Sequence, residues 1–167
     1  MIERYTLPEM GEIWSENAKF KTWLDVEIAA CQANFEVGNI SQEDLDQIKN
    51  KSKFNVERIK EIEKEVKHDV IAFLTNLNEY VGDAGRFIHV GMTSSDILDT
   101  GLSLQLRESC NLLIREIEEL ENTIRNLASQ HKATLMIGRS HAIHGEPISF
   151  GFKLAGWLAE VIRDKKR

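Results

Sequence analysis

Three polar clusters interrupt a chain whose apolar residues otherwise recur at helical spacing, and each holds side chains that can bind anions or move protons. Lys67-His68-Asp69 sets an imidazole between an ammonium and a carboxylate. A histidine held by a carboxylate can bind an anion or pass on a proton near neutral pH. A solvated helix end with Asp69 capping the next helix would use the same three residues. Thr93-Ser94-Ser95-Asp96 offers three consecutive hydroxyls. One helix cap needs one of them, so plain capping leaves donors free for a carboxylate or phosphate. The third cluster is GRSHAIHGEP, residues 138–147. There Gly138 allows a turn, Arg139 presents a planar fork suited to a carboxylate, and Pro147 can open a helix. His141 and His144 would share a face if helical, but a metal site needs at least a third ligand, and Glu146 alone completes no zinc set. Structural histidines and a proton donor both fit this stretch.

The elements that must position these clusters read as helices. Pro8 can open a short first helix. A longer one from about Ser15 carries Phe20, Trp23, Leu24, Ile28, Cys31 and Phe35 on one face and stops at Gly38. Ser41-Gln42-Glu43-Asp44 resembles a capping box, and Asn55 can cap a fourth helix with the stripe Ile59, Ile62 and Val66. Apolar spacing resumes at Val70 after a break near residue 68, and Gly82 and Gly85 end that segment. From Ser94 or Ser95 a single helix is predicted to reach about His131, several times the average length and suited to a bundle. A short extended segment follows over 134–137, and a last helix is predicted from about Pro147. That helix is still periodic at Arg167, so the chain reads as truncated. The predicted fold class is all-α, with an N-terminal helical domain over 1–93 and the first long helices of a central bundle over 94–167.

Composition narrows the function classes. The chain has 167 residues, 42% hydrophobic and 29% charged, with a net charge of -6. An acidic balance argues against non-specific nucleic-acid binding, while leaving room for a local basic pocket. No apolar run approaches the roughly 20 residues of a membrane helix, and MIERYTLPEM has no signal-peptide core. Cys31 and Cys110, far apart in apolar helical contexts, read as free thiols of a reducing cytoplasm. No phosphate-binding glycine loop, dinucleotide fingerprint or nucleophile elbow is present.

Taken together and in this order, the clusters resemble the N-terminal part of the adenylosuccinate lyases, a branch of the fumarase/aspartase superfamily. The likeness rests on Ile2-Glu3-Arg4-Tyr5 with Pro8-Glu9-Met10, Lys67-His68-Asp69-Val70, Gly91-Met92-Thr93-Ser94-Ser95-Asp96 with Asp99-Thr100, and Gly138-Arg139-Ser140-His141. It spans essentially the whole chain. The TSSD run belongs to the superfamily; MIERY and KHDV point to the branch. The resemblance implies β-elimination of fumarate from adenylosuccinate, giving AMP, and from the succinyl-carboxamide ribotide of purine synthesis. A base removes the proton beside a carboxylate, and an acid protonates the departing nitrogen. It implies His141 as general acid and His68 as its assistant and a substrate ligand. Arg4 and Tyr5 would hold the nucleotide end, Lys67, His68 and Asp69 would line the pocket, and Thr93 and Ser94 would donate to an anionic group. No cofactor or metal is implied, and members assemble as homotetramers whose sites combine three subunits.

Two departures stand out. Ser140 replaces the threonine common in the family, keeping the hydroxyl. The serine-rich loop carrying the base, followed by Met-Pro-x-Lys-x-Asn, is absent from these residues, so the chain is expected to be inactive alone. Two other readings use the same residues. A carboxymuconate cycloisomerase shares the TSSD and GRTH-type stretches but not KHD or MIERY. A non-catalytic helical interaction module would use the clusters only as caps and ignore AMP and fumarate.

Overall fold

Helix caps written into the sequence set most element boundaries in the computed structural model, which describes residues 2–167. After a 3-10 turn at Glu3–Tyr5 come α1 (Pro8–Ile13), α2 (Glu16–Glu36), α3 (Gln42–Lys51), α4 (Val56–Val66) and α5 (Asp69–Val81). Ser15, Ser41 and Asn55 accept from backbone amides three residues on, capping α2, α3 and α4. Gly38, at φ 84, ends the α2 turn in the left-handed region that favours glycine. A second 3-10 segment, Gly82–Phe87, leads through residues 88–93 to α6 (Ser94–Gln130). Two short strands, β1 (Leu135–Ser140) and β2 (Ile143–Ser149), then precede α7 (Phe150–Lys166). The fold is helical, as predicted, with one small antiparallel hairpin added.

The chain packs as two units, one ending at Ser109 and one formed by Cys110–Arg167. An aromatic cluster anchors the core of the first. Phe20 stacks on Phe73 with ring centroids 5.7 Å apart, and Trp23 meets both edge-on at 5.2 and 5.5 Å. Leu45, Ile48, Ile59, Val70, Leu77 and Ile97 fill the space around them and are all but inaccessible. Such burial is the main favourable contribution to folding a unit of this size. Gly101 of α6 passes close to α2: a methyl group there would come within 2.9 Å of the Trp23 ring.

In the second unit, α7 returns along α6. Lys165 reaches Glu118 at 2.9 Å, while the amides of Phe150 and Gly151 bond the carbonyls of Thr134 and His131 at 2.8 and 3.0 Å. Two sequence expectations fail here. Residues 138–147 form most of a β-hairpin rather than a loop running into a helix. Pro147 lies inside β2, opposite Ile137, and α7 starts at Phe150 with Ser149 as its cap. A proline is tolerated in a two-stranded ribbon because one side of each strand has no ladder partner. His141 and His144 therefore share no helical face.

Candidate active site

The Lys67-His68-Asp69 cluster owes its geometry to a two-residue break between α4 and α5. Lys67 closes α4 in the left-handed region, at φ 56, a conformation usually left to glycine or asparagine. The chain turns at once, and His68 caps α5 by accepting from the Ile71 amide at Nδ1, 3.4 Å away. This corrects the expectation that Asp69 is the cap. Asp69 is the first residue of α5, and its carboxylate accepts from the Val70 amide at 2.7 Å. His68 Nδ1 also lies 3.5 Å from Asp69 Oδ1. A neutral ring accepting at Nδ1 keeps its proton on Nε2, and a protonated ring paired with Asp69 carries one there too. His68 can thus offer Nε2–H to a ligand in either charge state, from a side chain 47% exposed.

At the start of α6, the capping work falls to a carboxylate. Asp96 Oδ2 accepts from the Thr93 amide at 2.8 Å, the reciprocal half of a capping box. The hydroxyls of Thr93, Ser94 and Ser95 bond to no other described residue. They stand where the helix already presents unpaired amides and the positive end of its dipole. That combination suits an anionic oxygen.

Arg4 and Tyr5 occupy the exposed N-terminal 3-10 turn, with the guanidinium 4.7 Å from the Tyr5 ring centre. Within the first unit, no hydrogen bond or ion pair among described residues joins these two to either cluster, or the clusters to each other. His141 lies in the second unit, at the tip of the hairpin. His141 and Ala142 have φ values of 52 and 62, the pattern of a type I′ turn, and Ser140 pairs with Ile143 across it. Gly138 sits at the register shift in β1, where a methyl group would be 2.7 Å from the Glu146 carbonyl oxygen. The His141 ring and the Arg139 guanidinium are exposed, without protein partners among described residues. His144 pairs opposite Arg139 in the ladder. Among the described residues, no three His, Cys, Asp or Glu side chains are grouped to hold a metal ion.

One buried hydrogen-bonded pair was not anticipated from the sequence. Glu27 is 1% exposed, on the core face of α2. Its carboxylate accepts from the His89 backbone amide at 2.9 Å and lies 2.8 Å from His89 Nδ1. Burial pushes this carboxyl above its ordinary range, and the two His89 partners pull against that. The signal was a glutamate in phase with Phe20, Trp23, Leu24 and Cys31, a position where an acid needs a buried partner.

Exposed histidines and free hydroxyls at element ends have the chemistry to bind anions and pass protons, and comparison with known proteins gives the chain a family. Residues 3–167 match the Lyase family, to which the chain belongs. Among curated proteins it is similar to the adenylosuccinate lyases of a Synechocystis strain (64% identical), Aquifex aeolicus (49%) and Bacillus subtilis (42%). Each match covers all of this chain, which spans about 39% of those relatives' length. Among solved structures, a fumarate lyase from Mesorhizobium superposes with a TM-score of 0.89 at 30% identity, over 95% of this chain and 38% of that one. A 3-carboxy-cis,cis-muconate lactonizing enzyme from Pseudomonas putida gives 0.88 at 28%, over 98% and 39%.

Proposed function

We propose that this chain carries the acid and anion-binding part of an adenylosuccinate lyase, which eliminates fumarate from adenylosuccinate and from the succinyl-carboxamide ribotide. The observation that carries the reading is the 64% identity, over the full chain, to the Synechocystis adenylosuccinate lyase. The muconate enzyme shares the fold at 28%, so the cycloisomerase alternative has the weaker support. The chemistry suits the residues. A base removes a proton from the carbon beside a succinyl carboxylate, the electron pair forms the new C=C bond, and the C–N bond breaks. His141 gives its proton to the departing nitrogen. His68 binds the substrate and supports that transfer through Nε2–H, with Lys67 and Asp69 beside it. Thr93 and Ser94 donate to a carboxylate at the positive end of α6, where negative charge accumulates in the transition state. Arg4 and Tyr5 take the nucleotide's phosphate end.

The serine loop to which the resemblance assigns the base is absent from these residues, so they are expected to show no turnover when expressed alone. We place the protein in the cytoplasm as a homotetramer, without a cofactor and without nucleic-acid or membrane partners. No helix described here is long and apolar enough to cross a membrane. The decisive assay follows adenylosuccinate cleavage by the complete gene product. His141→Gln should lower kcat by about 10²–10⁴-fold with the helical circular dichroism unchanged. Wild-type kcat in that variant would remove His141 from the acid role, and no turnover in the unaltered protein would remove the lyase reading itself.

A further inference from the structure

Three side chains at positions 27, 31 and 34, one face of α2, address the carbonyls and amide of the connector that leads into α6. Cys31 Sγ lies 3.8 Å from the Phe87 carbonyl oxygen, Glu27 takes both the amide and Nδ1 of His89, and Asn34 Nδ2 reaches the Val90 carbonyl at 3.5 Å. The connector they hold is strained. His89 has φ 68, and Gly91, two residues on, has φ 80. For a residue with a Cβ, the left-handed conformation costs roughly 1–2 kcal/mol, so something must hold it. A buried carboxylate with two hydrogen bonds to that same residue does so. The turn is closed by the Met92 amide on the His89 carbonyl at 3.4 Å, and Thr93 follows directly.

We propose that Glu27 is a positioning residue for the Thr93–Ser94 hydroxyls: by gripping His89 at backbone and ring it fixes where the connector ends and α6 begins. The inference rests on the lyase reading, because it gives those hydroxyls an anion to bind. Glu27 itself is buried, out of reach of a bound molecule. It acts through His89 and Met92, and Asn34 steadies the same connector one residue further along. A buried carboxylate with no role in the site would be an expensive way to fill a core position that leucine fills without penalty.

The test uses the complete gene product and reads KM, kcat and the inhibition constant of fumarate. Glu27→Gln keeps the shape but removes the charge and leaves one accepting oxygen where the carboxylate offers two. KM and the fumarate constant should rise together by about tenfold or more, the usual weight of a hydrogen bond to a charged group, with kcat much less affected and some fall in thermal midpoint from the weakened buried pair. Asn34→Ala removes the contact with the Val90 carbonyl, together with its bonds to Ala30 and Asn39, and should move the same two constants in the same direction by a smaller factor. It serves if Glu27→Gln does not fold. Unmoved KM and fumarate constants in the folded variants, or a fall in thermal stability with unchanged constants, would overturn the proposal. That outcome leaves the lyase reading standing. Absence of adenylosuccinate turnover in the unaltered protein sinks both.

Discussion

The two thiols sit in opposite surroundings, Cys31 buried and Cys110 exposed. Burial, with a smaller contribution from the neighbouring Glu27 carboxylate, pushes the Cys31 thiol up to about 11 from an ordinary 9.0. Between those values the unfolded chain ionises its thiol and the folded chain does not. The contribution to stability is therefore intact below pH 9 and is lost as the pH rises towards 11, amounting to about 2–3 kcal/mol. Urea unfolding at pH 8 and pH 10.5 should show most of that loss in wild type and a shallower one in Cys31→Ala. A thiol reagent should label Cys110 and spare Cys31 until the protein unfolds. At this scale the sequence was readable where a side chain's chemistry is local. The caps at Ser15, Ser41 and Asn55 follow from residue type next to an apolar run, and His68 and Thr93 stood out by composition. Glu27 did not, because its meaning depends on His89, 62 positions away. The left-handed backbone at His89 leaves no mark in residue type at all.

Among the elements, the helices were legible and the hairpin was not. Period-3.6 stripes located α2 through α6; the apolar faces of α2 to α5 and the first turns of α6 are buried in one core. Residues 138–147 carry none of the Asn-Gly or Asp-Gly signals that normally announce a type I′ turn; the two left-handed positions are taken by His141 and Ala142. Pro147 then imitates a helix start. What places the hairpin's exit is Gly151, at the point where α7 meets the end of α6. A methyl group there would lie 2.4 Å from the Ala128 carbonyl oxygen and 2.8 Å from the Lys132 backbone. Neither obstacle can rotate away. Gly151→Ala should destabilise the protein by about 1–3 kcal/mol, seen as a lower urea midpoint. An unchanged midpoint would show that α7 can shift to make room. Gly156, with open space around it, is the control position for the same substitution.

At the largest scale, the long helix exposes an apolar ladder. Leu106, Leu113, Leu120 and Leu127 recur every seven residues on α6 and are 37–52% exposed, and Phe152 and Trp157 of α7 are 70% and 48% exposed. Apolar side chains in a seven-residue repeat are the seam of helices packed side by side, which supports the proposed homotetramer. Leu113→Gln with Leu120→Gln should shift sedimentation of the complete gene product towards smaller species, while leaving the core around Phe73 folded. Retention of the wild-type sedimentation coefficient would place the assembly contacts elsewhere. The ladder also dictates handedness. A straight α-helix drifts by about 20° per seven residues relative to such a repeat, so three heptads from Leu106 to Leu127 swing the seam through about 60°. A partner that stays in contact along the full ladder must wind around α6 as a left-handed supercoil; one that stays straight can cover only part of it.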